Sequence, residues 1–164
     1  MRYLVTGAAG FIGSHLCEAL IAQGEEVWGL DDLSKKKMEN LNQLEGNPMF
    51  KFVKASLAED HLLQELVNKV DAIYHLAAVV GVKFYVEDPV KVINVDVCQT
   101  ARLLELANRT GKKVIFASTS EVYGKSKELP FTEESDRLYG SSTTDRWCYA
   151  VAKTASEHLC IGYA

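Results

Sequence analysis

The sequence has no excess of positive charge: 18 Lys and Arg stand against 22 Asp and Glu, a formal net charge of −4. Nucleic-acid binding draws its affinity from a cationic face that neutralises phosphates, and adhesion to anionic lipid needs a polybasic patch, so this balance argues against both. Long hydrophobic runs are missing too. No apolar segment approaches the length of a membrane span, and Met1 to Val5 opens no apolar stretch ahead of a small-residue cleavage site; a cytoplasmic chain is expected. Cysteine is sparse. Cys17, Cys98, Cys148 and Cys160 form no Cys-x-x-Cys pair and no regular framework, which removes the spacing signatures of zinc sites and small disulfide scaffolds. Reduced, mostly buried thiols are expected, and no metal. There is no internal repeat and no low-complexity tract. What is present is an ordinary globular composition, 48% hydrophobic and 24% charged over 164 residues, enough for one domain with one substantial core.

Apolar runs of two kinds alternate along the chain. Short β-type runs at Arg2–Thr6, Glu26–Asp31, Phe50–Val53, Asp71–Leu76 and Lys113–Ser118 predict five strands. Between them, helical spacing of Phe11, Ile12, Leu16, Ala19 and Leu20 predicts a helix over Phe11–Gln23, and Leu62, Leu63, Leu66 and Val67 predict another over Glu59–Asn68. Lys35–Lys37 is expected to open a solvated helix, and the stretch around Gly81 a loop. Asp88 as N-cap and Pro89 at the first helical position start a helix over Pro89–Asn108. A long last helix covers Thr144–Tyr163, preceded by an irregular Ser/Thr-rich and charged stretch, Gly124–Thr144. Strands alternating with helices in this way imply right-handed parallel crossovers and a doubly wound α/β sheet, layered α/β/α.

Three motifs carry chemistry. The first, Thr6-Gly7-Ala8-Ala9-Gly10-Phe11-Ile12-Gly13, lies between the first strand and its helix, where backbone N–H groups at a helix N-terminus hold a dinucleotide pyrophosphate. Gly7 permits the tight turn, Gly10 the approach of the phosphates and Gly13 the close packing of helix on sheet. Asp31, ending the second strand, can accept hydrogen bonds from the adenosine ribose and would repel a 2′-phosphate, which favours NAD over NADP. Against this, Lys35-Lys36-Lys37 either neutralises such a phosphate or is a solvated face. The second motif is Tyr149-Ala150-Val151-Ala152-Lys153. Residues four apart share a helix face, so the ammonium can sit beside the phenol or a cofactor ribose and favour the phenolate, a general base near neutrality; taken alone, a pair at this spacing is mostly structural. The third, Ala117 to Gly124 (ASTSEVYG), follows the fifth strand, where hydroxyls and the Glu121 carboxylate would face a ligand at the carboxyl end of the sheet or form a solvated turn.

Together with His75-Leu76-Ala77-Ala78 and Asn94, this ordered set resembles the extended short-chain dehydrogenase/reductases, and within them the NAD-dependent nucleotide-sugar epimerase/dehydratase branch. The resemblance implies a Rossmann-type NAD site made by Gly7, Ala9, Gly10, Phe11, Ile12, Gly13, Asp31, Asp32, Ser34, Ser56, Leu57, Leu76, Ala77 and Ala78, with Tyr149 and Lys153 at its nicotinamide end. Ser56 stands where many relatives place an adenine-contacting Asp. By the same resemblance Thr119, Ser120, Glu121, Tyr149 and Lys153 are catalytic: Thr119 binds the sugar 4-hydroxyl, Tyr149 removes its proton, Lys153 holds the nicotinamide ribose, and Asn94 supports them. Glu121 stands where dehydrating and decarboxylating relatives carry an acid. Members of the branch continue into a smaller substrate domain, so the resemblance implies that residues 1–164 are an incomplete NAD-binding Rossmann part, without that domain and inactive alone. It also implies a nucleotide-diphosphate-sugar substrate and a homodimer through helices 89–108 and 144–163, with Val92, Val95, Leu103, Leu104 and Leu106 supplying apolar surface. A non-catalytic NAD(P)-binding or redox-sensing module of the same fold, and a non-catalytic interaction protein using those helices, are the competing readings.

Overall fold

A computed structural model describes residues 1–35 and 37–164. The chain divides into two compact units, Met1–Ala77 with Leu103–Ala117, and Ala78–Arg102 with Ser118–Ala164.

The first unit is a five-stranded, wholly parallel sheet of β1 (Arg2–Thr6), β2 (Glu26–Asp31), β3 (Phe50–Lys54), β4 (Ala72–His75) and β5 (Lys113–Phe116), in the order β3-β2-β1-β4-β5. The five expected strands are all present, within two residues at either end. Central β1 pairs Leu4 with Trp28 and Ile73, and Val5 with Gly29 and Tyr74. Successive side chains on a strand point to opposite faces, and both faces here are covered. On one, Leu4, Leu30 and Ile73 pack against Leu63, Leu66 and Val67 of α2 (Asp60–Lys69) and against Leu103, Leu106 and Ala107. On the other, Val5 and Val27 meet Cys17 and Leu20 of α1 (Phe11–Ala22) and Leu41 and Leu44 of a 3₁₀ segment, Met38–Leu44. Burying each such leucine, isoleucine or valine contributes roughly 1.5–3 kcal/mol. Winding runs one way from β1 to β3 and the other from β1 through β4 to β5, so the switch point lies between β1 and β4.

The second unit holds α3 (Val82–Glu87), α4 (Pro89–Val92), a π-helical segment Ile93–Gln99, the start of α5 (Thr100–Arg109), 3₁₀ turns at Ser120–Tyr123 and Asp145–Trp147, and α6 (Cys148–Tyr163). Asp88 caps α4 as expected, accepting the Lys91 N–H at 2.9 Å with Pro89 at the first position. Val79, Tyr85, Val92, Tyr149 and Ala152 form its core. The stretch 124–144 is irregular, and side chains order it: Arg137 lies over the Tyr123 ring, Tyr123 stacks on Phe131, and Tyr139 donates to the Val122 carbonyl at 2.7 Å.

Several expectations are corrected. The helix expected to open at Lys35–Lys37 starts instead at Met38 and is a 3₁₀ segment, with Lys36 outside the described residues. The loop expected around Gly81 covers 76–81 and is followed at once by a short helix, Val82–Glu87, which the sequence pattern did not show. The helix from Pro89 runs on to Arg109 but is widened by the π segment. The cysteines are free, yet only Cys17 is buried; Cys98 is exposed and the other two are intermediate. Four of the five residues expected on a dimer surface, Val92, Leu103, Leu104 and Leu106, are buried within the chain itself. Among the described residues no helix is long and apolar enough to cross a membrane.

Candidate functional site

In the sheet unit the glycine turn leads directly from β1 into α1. Gly7 has φ of 71°, the left-handed region, and a side chain there would strike the backbone of Leu76 and Ala77; one at Gly13 would collide with the Gly7 carbonyl. Gly10 donates to the Gly7 carbonyl at 3.0 Å and accepts from Ser14 N–H at 2.9 Å. Gly10 also caps α1 without a side-chain hydrogen bond, no acidic residue occupies the first turn, and Phe11 and Ile12 stand out in solvent. That open helix start and the cradle kept clear of Cβ atoms fit a dinucleotide pyrophosphate.

Asp31 sits beside the turn. One carboxylate oxygen accepts the Ala9 N–H at 3.0 Å and the other the Leu33 N–H at 2.8 Å. Burial raises its pKa, opposed by those two amides and reinforced by the charge of Asp32. Asp32 in turn accepts the Ser34 N–H at 2.8 Å. Asn40, to which no sequence motif points, donates to the Ala9 carbonyl at 2.8 Å and braces the turn from the 3₁₀ segment. At the end of β4, Thr6 Oγ1 accepts the Leu76 and Ala77 N–H groups, each at 3.2 Å, and lies 2.7 Å from His75 Nδ1. With both lone pairs used, the Thr6 proton goes to Nδ1, which assigns His75 an Nδ1 free of hydrogen. Ser56 Oγ accepts the Ala58 N–H at 3.2 Å, and the Leu57 side chain belongs to the core.

The second unit gathers the remaining residues. Thr119 Oγ1 accepts the Glu121 N–H at 3.3 Å and starts the 3₁₀ turn that presents Ser120, which is exposed, and Glu121. Glu121 is held by Arg146 Nη1 at 2.5 Å and faces the Tyr85 hydroxyl at 3.4 and 3.5 Å. The Tyr85 ring stacks on Tyr149 with centroids 5.4 Å apart and planes 4° from parallel. On α6, Tyr149 and Lys153 are buried, and Ala78 packs partly buried against the same core. Sequence reasoning identifies neither Tyr85 nor Arg146; the latter lies one turn before Tyr149, a spacing that offered the only signal.

In the chain by itself the Tyr149 phenol pKa is not depressed. Burial, then the charges of Asp96 and Glu121 and the neighbouring Tyr85, push Tyr149 up to about 12, while a hydrogen bond with Thr119 pulls the other way. Lys153 is lowered, chiefly by burial, against the raising effect of Asp96, Cys160 and Glu157. Asn94 is exposed on the π segment, and the buried polar residue there is Asp96, whose Oδ1 accepts the Val79 N–H at 2.8 Å. An acid flanked by Val95 and Val97 is its sequence signal.

A glycine turn at the switch point of a parallel sheet, with a Tyr-x-x-x-Lys helix, defines a dinucleotide-binding α/β class. The model of the family described as GDP-mannose 4,6 dehydratase matches residues 4–164, and the chain belongs to that family, within the nucleotide-sugar epimerase/dehydratase branch of the extended short-chain dehydrogenase/reductases. It is 45% identical over 163 residues to UDP-N-acetyl-alpha-D-glucosaminuronate decarboxylase of Bacillus cytotoxicus, covering 99% of this chain and 50% of that protein. It is also 45% identical over 160 residues to UDP-glucose 4-epimerase of Mycolicibacterium smegmatis, covering 96% and 49%. Among solved structures, UDP-glucuronic acid 4-epimerase from Bacillus cereus in complex with UDP-glucuronic acid and NAD superposes with a TM-score of 0.86 at 35% identity, over 99% of this chain and 52% of that one. The chain spans about half the length of these relatives.

Proposed function

We propose that this chain is the cofactor-binding and catalytic half of an NAD-dependent nucleotide-sugar enzyme that oxidises the sugar C4 hydroxyl to a transient 4-keto sugar. On this reading residues 1–164 are its NAD-binding Rossmann part, cytoplasmic, with the substrate-binding part not among them. The observation that carries the reading is the cluster of Tyr149 and Lys153, buried one turn apart on α6, with Thr119 hydrogen-bonding toward the phenol. A protein that only binds NAD needs the glycine turn and Asp31 and no such cluster.

NAD⁺, when bound, supplies the acceptor for hydride leaving C4. The turn from Gly7 to Gly13 holds its pyrophosphate, Asp31 its adenosine ribose, with Asp32, Ser34, Ser56, Leu57, Leu76, Ala77 and Ala78 completing the site. Thr119 orients the 4-hydroxyl and Tyr149 takes its proton. A phenol raised to about 12 is a poor base at neutrality; added positive charge beside it, which an oxidised nicotinamide would supply, would bring it down, so the base would be armed only in the loaded protein. The ketone is a branch point: reduction from the other face gives the epimer, and acidified C5 permits dehydration. If C6 is a carboxylate, the resulting β-keto acid loses CO₂. Glu121, fixed by Arg146 beside Ser120, is the group to move protons at C5 and C6, which inclines the reading towards dehydration or decarboxylation.

Calorimetric titration tests the cofactor half: NAD⁺ binds and NADP⁺ binds at least about tenfold more weakly, and equal or tighter NADP⁺ binding would remove the role of Asp31. In the enzyme that carries this chain, Tyr149→Phe keeps NAD⁺ affinity and loses at least about a hundredfold in turnover. Glu121→Gln impairs dehydration or decarboxylation far more than epimerisation.

A further inference from the structure

An acid and an amine, Asp96 and Lys153, are buried in the second unit. Asp96 is 1% exposed and Lys153 3%. Asp96 sits in the π segment Ile93–Gln99, and its main-chain carbonyl accepts Ser156 Oγ of α6 at 2.5 Å. That bond fixes the π segment against the face of α6 that carries Lys153, one turn before Ser156. The carboxyl group is half satisfied: Oδ1 accepts the Val79 N–H at 2.8 Å, and Oδ2, fully buried, accepts no hydrogen bond from the described residues. A carboxylate oxygen is not left bare inside a protein without a compensating charge, and an ammonium is not carried into a core without one. A π turn adds one residue to the helical repeat and re-aims the side chains of its turn, a device found mostly at functional positions. Here it carries a buried acid between Val95 and Val97.

We propose that Asp96 is the buried counter-charge of the Tyr149–Lys153 pair, a positioning residue that keeps Lys153 an ammonium and keeps Tyr149 protonated until further positive charge arrives. The proposal deepens the reading of Tyr149 and Lys153 as the proton-transfer pair and rests on it for its consequence. Burial favours the neutral amine of Lys153, and Asp96 is the first of the opposing charges, ahead of Cys160 and Glu157. On Tyr149, Asp96 is the largest charge raising the phenol, ahead of Glu121. Around Asp96 itself burial favours the acid form, opposed by the Val79 N–H and by Lys153, with Cys148 and Tyr149 the other titratable neighbours. One carboxylate therefore holds both partners in their protonated states. Asp96→Asn would leave Lys153 buried without this anion and Tyr149 easier to ionise.

The test is a pH titration by NMR of this chain labelled at lysine Cε, tyrosine Cζ and aspartate Cγ, with signals assigned through Lys153→Arg, Tyr149→Phe and Asp96→Asn. In the wild-type chain at pH 7, Asp96 reads as carboxylate, Lys153 as ammonium and Tyr149 as phenol. Asp96→Asn shifts the Lys153 and Tyr149 midpoints downward together, and Asp96→Glu restores both. Unchanged midpoints in a folded Asp96→Asn chain overturn the proposal. So does a protonated Asp96 or a neutral Lys153 in the wild-type chain at pH 7, a reading that stands even when the variant does not fold. No cofactor enters the titration. A chain that shows these shifts and binds no NAD⁺ overturns the proposed function and keeps the counter-charge.

Discussion

Tyr149 is uncharged at neutrality in the chain on its own, and its environment makes a second, separate demand on pH. The folded phenol titrates near 12 against an ordinary 10.0, and the Cys17 thiol in the sheet unit near 12 against 9.0, both because burial disfavours the anion. In the unfolded chain these groups ionise first as pH rises, so the stability they support is complete below about pH 9 and is lost progressively as pH climbs towards 12. A tenfold difference in proton affinity between folded and unfolded chain is worth about 1.4 kcal/mol, so the two groups together cost roughly 4–7 kcal/mol by the top of that range. Urea midpoints measured from pH 8 to 11.5 should fall, and Tyr149→Phe should blunt the fall above pH 10; an equally steep fall in the variant would mean that the phenol is not held neutral. The residue types of this site were legible through the ordered set of motifs, since a tyrosine and a lysine four apart on a helix are mostly structural when taken alone. Their electrostatics were not. Asp96 and Glu121 act through space from separate segments, and proximity of that kind leaves no spacing to read.

At the scale of elements, the sequence pattern is sufficient where one chain segment decides its own state. Arg2–Thr6 and Glu26–Asp31 are continuous apolar runs bounded by glycine, and each is a strand of the same extent. It is insufficient where a neighbour decides. Val79–Val86 is apolar without a clear period, and the helix Val82–Glu87 forms because Tyr85 finds a slot against Tyr149. The apolar stripe of α5 is the plainest case: the helical period shows which face is buried and not what buries it. Leu103 is completely buried against β-sheet residues of the same chain. Leu103→Ala is therefore expected to cost about 2–5 kcal/mol of stability by urea denaturation at any protein concentration. A loss that vanishes on dilution would place the residue at an interface between copies. The exposed large apolar side chains on the helices first expected to dimerise are Val90, Ile93, Val151, Ile161 and Tyr163. We propose that the homodimer implied by the resemblance forms through helices 89–108 and 144–163, and light scattering at micromolar concentration that shows a monomer would remove it.

For the molecule as a whole, strand order has a consequence for how the protein is made. Strands β1 to β4 leave the ribosome in sequence and can pair as they appear, but β5, which closes the free side of β4, is encoded only after the entire stretch Ala78–Lys112. Until then Ala72–His75 presents an open row of backbone donors and acceptors, and the face under Ile73 lacks Leu103, Leu106 and Ala107. A nascent chain paused in that interval is a template for strand pairing with its neighbours on the same polysome. Translation speed between codons 78 and 112 thus bears directly on the yield of folded protein, and slowing it should send more of the product to chaperones or aggregates than slowing any stretch after residue 117.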